Sequence, residues 1–102
     1  AGKVDVALGL VEERVEEMQS LATGGREVPV EAVAQLERHL ESALARAAET
    51  DDEQMAGLLT QIARRARDKE EQLEASQAGL PEDGRAQLGR AVIALGQVAG
   101  EA

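Results

Sequence analysis

Not one of the 102 residues is Phe, Tyr or Trp. Any core this chain builds must therefore be closed with Leu, Val, Ile, Met and Ala. Aromatic rings bury the largest areas per side chain, so an aliphatic core needs many members in strict register. The chain supplies that register. Val4, Leu8, Val11, Val15, Met18 and Ala22 are spaced alternately by four and three, which places them on one stripe of an α-helix. Glu12, Glu13, Glu16 and Glu17 fall on the outer face. Thr23-Gly24-Gly25 ends the segment, because glycine tolerates the left-handed conformation that closes helices.

Three further stripes follow. Pro29 opens the second at a first helical position, where its missing N–H would have no partner. Val33, Leu36, Leu40, Ala43 and Ala47 form the stripe and Leu44 widens it. Thr50-Asp51-Asp52-Glu53 reads as a capping box with Thr50 as the cap, so the chain is expected to break near Glu49–Asp51 and not to continue as one helix over 30–77. Met55, Leu58, Leu59, Ile62, Ala66 and Leu73 form the third stripe, with Lys69 interrupting it towards a rim. Gly79-Leu80-Pro81 marks the next turn, and Glu82 and Asp83 complement a helix N-terminus. Leu88, Ala91, Val92, Leu95, Val98 and Ala99 make the fourth. Gly84, Gly89, Gly96 and Gly100 cost a helix about 1 kcal/mol each against Ala; they signal either close approach or a weak terminal helix. No segment alternates long enough for a strand, and no internal repeat stands out. The expected architecture is all-α: an antiparallel up-down four-helix bundle, with helices near 4–22, 30–49, 51–77 and 81–100, spanning 1–102 as a single domain.

Charge narrows the partners. Twenty acidic residues against eleven basic give a net charge of −9. Phosphate backbones and anionic membrane surfaces repel such a surface, so nucleic acid is not expected as a partner. No stretch reaches the ~20 apolar residues of a membrane span. The absence of Cys excludes a disulfide framework and thiolate metal sites. Asn and Cys are missing while Glu and Arg abound, which fits a heat-adapted source; a GC-rich genome gives the same bias. The chain begins at Ala1 and runs to Ala102 with no clear helix stop, which reads as a piece of a longer protein.

Chemistry-bearing groups are sparse. His39 is the lone imidazole and lies about 80° from the centre of its stripe, at the boundary. Gln35, Ser42 and Arg46 share that flank. Its expected role is packing or hydrogen bonding. A di-metal site of Glu plus Glu-x-x-His ligands fails because Leu36 precedes His39 by three and no second His exists. The Glu12, Glu13, Glu16, Glu17 cluster lacks the shaped oxygen-rich loop of a calcium site and reads as a solvated face. Arg64, Arg65, Arg67 and Lys69 make one basic patch, expected to be ion-paired within its helix as Arg64–Asp68 and Arg67–Glu71. Ser20, Ser42 and Ser76 lack an assembled base. Gly24-Gly25-Arg26 lacks the Lys-Ser/Thr of a phosphate loop. No catalytic, cofactor-binding or metal-ligating residue is therefore assigned, no cofactor is expected, and the chain reads as a non-enzyme.

The order of segments carries a resemblance. Leu10-Val11-Glu12-Glu13-Arg14-Val15-Glu16-Glu17-Met18 leads to a Gly turn, and Leu36-Glu37-Arg38-His39-Leu40-Glu41 to an acidic turn. A long helix with Leu58-Leu59 and Leu73 follows, then a Pro turn and a last helix. This resembles an uncharacterised helical domain found outside the membrane in bacterial anti-sigma-factor-like and other envelope proteins. The Leu-Tyr-Pro-type opening common in that family is missing here. The resemblance implies a sensing or protein-interaction domain of an envelope regulator, extracytoplasmic and membrane-anchored, with a protein partner. A cytoplasmic adaptor or dimerisation domain, and an accessory domain of a larger enzyme, are the alternatives. A core rich in Ala and free of aromatics also points to self-association, as a homodimer covering part of the fourth stripe.

Overall fold

Each apolar stripe folds into one helix. The structure, a computed structural model, describes residues 2–78, 80 and 82–101, with side chains for all of these except 82–84 and 101. The helices are α1 (Gly2–Thr23), α2 (Val30–Ala48), α3 (Asp52–Gln77) and α4 (Glu82–Glu101). No strand occurs among the described residues, and no helix among them is long and apolar enough to cross a membrane. The expected turn at Gly79 and Pro81 lies outside the described residues.

The α1 terminus shows why the glycines are there. Gly25 sits at φ +72°. Its N–H donates to the Ala22 carbonyl at 3.0 Å, and the Arg26 N–H donates to Leu21 at 2.8 Å. These are the two bonds of a Schellman cap. A Cβ at positive φ is strained, so Gly25→Ala is expected to cost about 1 kcal/mol after the entropy gained from the stiffer unfolded chain is counted. Urea melts test this, with Gly24→Ala as the control. A Gly25→Ala melt that overlays the parent would mean that the turn relaxes to another form.

Two local expectations shift by one residue. Pro29 occupies the N-cap of α2, at φ −64° and ψ 143°, and the helix starts at Val30; its ring fixes the extended entry and not the first turn. The break at residue 50 is present, but Asp51 is the cap. Its carboxylate accepts the Gln54 N–H at 2.9 Å. Thr50 turns back and donates its hydroxyl to the Ala47 carbonyl at 2.7 Å, satisfying the C-terminal end of α2. Both residue types can cap; the ionised carboxylate also favours the positive helix start. Asp51→Ala is expected to cost about 1 kcal/mol, and Asp51→Asn, an equally good cap, almost nothing. Coincident thermal melts of Asp51→Ala and the parent would count against this cap.

The core follows the stripes. All of Val4, Leu8, Val11, Val15, Met18 and Ala22 are buried, as are Val33, Leu36, Leu40, Ala43 and Ala47. On α3 only Ile62, Ala66 and Leu73 are buried, while Met55, Leu58 and Leu59 are half-buried. Lys69 is half-buried at the rim and donates to Gln72. The α4 stripe is covered inside the chain, with Leu88, Ala91 and Leu95 fully buried. Val92 is half-buried, and among the described residues of α4 the large apolar side chain that stands exposed is Ile93. Gly96 lies beneath the Glu70 carboxylate and Gly89 against Gln77, so α3 side chains, not backbone, approach these two glycines.

The chain direction alternates up and down, and α1 with α2 and α3 with α4 form the two closest antiparallel pairs. The hairpins then lie side by side, α1 against α3 and α2 against α4, while α1 and α4 barely touch. Hydrogen bonds set the direction of these seams. Asp5 meets Gln61, Glu12 meets Arg65, and Gln19 meets Ser76, so α1 and α3 run parallel. The short connection at Glu49–Asp51 therefore crosses the bundle diagonal. The molecule is elongated, 45 × 20 × 15 Å.

Candidate functional site

Along α1, residues 3, 6, 10 and 13 form a strip outside the core stripe, spaced three, four and three apart. Its upper part borders α2, which runs antiparallel. Between them lies a groove of about 490 Å³, floored by Val6, Ala7 and Leu10 and edged by Lys3, His39 and Arg46. The groove is open to solvent along one side. Val6 is 66% exposed although it is a large aliphatic residue. The groove has three basic or imidazole side chains and no carboxylate along its wall, in a chain with 20 acids and 11 bases. Basic and apolar side chains thus meet here on a chain that is acidic as a whole.

The structure places His39 half-buried on the α2 flank with Ser42 and Arg46, as its position on the helix predicts. Arg46 is held by Glu49 at 3.1 Å. Arg14 closes the far end of α1's strip: it donates to Gln35 on α2 at 3.1 Å and pairs with Glu17 at 2.9 Å. The periodicity of α1 does not set Val6 and Leu10 apart. The available signal was an apolar pair four residues apart, off the main stripe and preceded by Lys3.

Charged residues expected on open faces instead tie the hairpins together. Arg65 grips Glu12 on α1 with two bonds, Nε to Oε2 at 3.0 Å and Nη2 to Oε1 at 2.6 Å. Asp5 stands 3.5 Å from the same guanidinium. Neither Arg64–Asp68 nor Arg67–Glu71 forms an ion pair among the described residues, although i,i+4 spacing allows both. Exposed pairs of that kind contribute little and compete with water; Arg65 faces the α1 seam and finds a better partner there. Glu12 is accordingly half-buried and not part of a solvated cluster. On the other seam Arg90 grips Glu37, with its closest contact at 2.7 Å.

The hydrogen bonds from Arg65 hold the Glu12 carboxyl below its ordinary value of 4.5, against the opposing effect of burial. The same contacts raise Arg65. A depressed carboxylate stabilises the fold above the unfolded pKa, and that stabilisation is lost as pH falls through the depressed value. Glu12→Gln is therefore expected to cost about 1 kcal/mol at pH 7, with the gap to the parent closing below pH 4.5. A gap that is constant from pH 7 to pH 2 would show that the loss is steric and not ionic.

Beyond the groove, the surface offers an open depression of about 550 Å³ between α2 and α4, with Arg85, Arg90, Glu37 and Ile93 on its wall. Arg90 and Glu37 are paired across the seam, and Arg85 donates to the Leu80 carbonyl. Among the described residues no group of three or more His, Asp or Glu side chains is arranged to hold a metal ion. Protein-family models, curated protein sequences and solved structures give no match to this chain.

Proposed function

We propose that this chain is a non-catalytic protein-interaction domain of a bacterial envelope regulatory protein, of the anti-sigma-factor-like kind that its helix order resembles. The observation that carries the interaction reading is the open α1/α2 groove, lined by Val6 at 66% exposure. Covering one aliphatic side chain of this size is worth about 1.5 kcal/mol, and Leu10 adds to it on the same strip. Small-molecule sites enclose most of their ligand. A groove open along its length suits a helix laid into it. The extracytoplasmic location and the regulatory role come from the resemblance in helix order, and the acidic surface is compatible with both.

The test is a photocrosslinking residue placed at Val6 in the full-length protein in its own cells, with Glu53 as an exposed control. The expected result is a discrete adduct at Val6, lost on Leu10→Asp, whose partner peptides belong to a regulatory protein or to the chain itself. Adducts to subunits of an enzyme would replace this reading with that of an accessory domain. Identical adduct patterns at Val6 and Glu53 would remove the groove as an interaction site.

A further inference from the structure

We infer that the groove's partner is a second copy of this chain, docked α1 against α1 in antiparallel fashion about a two-fold axis; this rests on reading the groove as a protein-binding surface. A two-fold contact is self-complementary: whatever one copy offers at a position, the other must complement at the mirrored position. The α1 strip meets that condition. Val6 and Leu10 are its apolar residues, and Lys3 and Glu13 lie three positions outside them on either side. An axis through the midpoint of Val6 and Leu10 sets Val6 on the partner's Leu10 and Lys3 on the partner's Glu13, twice over.

The charges on this strip are free to make that contact. Lys3 has no ion pair among the described residues. Glu13 is 63% exposed and reaches only its neighbour Arg14, at 4.0 Å. Arg46 borders the same groove but is already held by Glu49, so Lys3 is the cation that the partner's Glu13 meets. His39 and Arg46 widen the contact onto α2 without adding a carboxylate. Two other large apolar residues stand exposed among those described, Val30 and Ile93: Val30 is the first residue of α2, and beside Ile93 Arg90 is already gripped by Glu37 while Arg85 donates to the Leu80 carbonyl. One helix pair with a flank of α2 falls short of the ~1,200 Å² of a standard interface. The dimer is therefore weak and depends on salt, because its ion pairs stay at the rim.

Sedimentation equilibrium tests this, read by interference optics because the chain has no aromatic absorbance. Over roughly 10 µM to 1 mM, the range for a small transient interface, the parent is expected to pass from monomer towards dimer. Val6→Asp removes the transition. Lys3→Glu and Glu13→Lys each weaken association about tenfold, since each change strikes two symmetric contacts. The double variant, Lys3→Glu with Glu13→Lys, restores it to within about threefold by exchanging the charges across the axis. Helical spectra and melts confirm that every variant folds. A chain that stays monomeric throughout, a dimer that survives Val6→Asp, or a double variant no better than the singles each overturns the inference. Monomers in sedimentation together with a Val6 adduct to a different protein would overturn the second copy alone. Absence of any specific Val6 adduct would remove the interaction reading as well.

Discussion

Leu36→Ala is expected to lower the unfolding free energy by about 3 kcal/mol, within the range for buried Leu truncations. For a domain of this size the melting midpoint should fall by more than about 10 °C. Leu36 is fully buried in α2. Much of the core is Val and Ala, and these side chains have few ways to rearrange: Val is stiff at χ1 and Ala has no rotamer to change. The space left by three lost carbons therefore stays open. Unfolding is followed at 222 nm, since the helices are the only strong chromophore. Ile93→Ala is the control, because Ile93 is 62% exposed and its truncation removes little buried area. If both variants lose the same stability, the core around α2 is loosely packed and adapts to truncation.

Arg65→Glu should be the most damaging surface change. It replaces the cation that Glu12 and Asp5 share with a third negative charge. Two neutralising contacts become two repulsions at a half-buried seam, and about 2 kcal/mol is expected to be lost at low ionic strength. High salt should recover part of it, since the repulsion is partly screened there. Arg67→Glu is the comparison: Arg67 is exposed and makes no ion pair among the described residues. Equal losses for the two variants would mean that net charge, and not the α1/α3 clamp, governs the effect.

The helices were legible because their signals are local. Stripe spacing, the Gly24-Gly25 stop and the turn at residue 50 place nearly every boundary within a residue or two of Gly2–Thr23, Val30–Ala48, Asp52–Gln77 and Glu82–Glu101. The cap itself was misassigned to Thr50, since Thr and Asp are adjacent and both fit the motif. A stripe tells which face of a helix is buried and not which helix buries it. The pairing of α1 with α3, and the diagonal crossing at the break, therefore leave no mark in the periodicity. The same gap hides Arg65–Glu12: spacing within one helix offers Arg64–Asp68 and Arg67–Glu71, neither of which forms among the described residues, and carries no sign of a partner for Arg65 53 residues away. The α2 side of the groove was visible as the His39, Ser42, Arg46 flank. Its α1 side exists because α2 runs antiparallel beside Val6 and Leu10, which no spacing within α1 records.

The diagonal link has a consequence for how the polypeptide can be divided. Each hairpin is an uninterrupted half of the chain, and the two meet along level seams, with Glu12–Arg65 and Glu37–Arg90 both 53 residues apart. Cleavage at Thr50 would cut neither hairpin. It would turn an intramolecular docking step, driven by the millimolar effective concentration that a short tether provides, into a meeting of two separate peptides. The halves 1–50 and 51–102 thus form a natural split pair, whose reassembly depends on concentration where that of the intact chain does not. The same link, held open instead of cut, would let the first hairpin of one chain dock on the second hairpin of another.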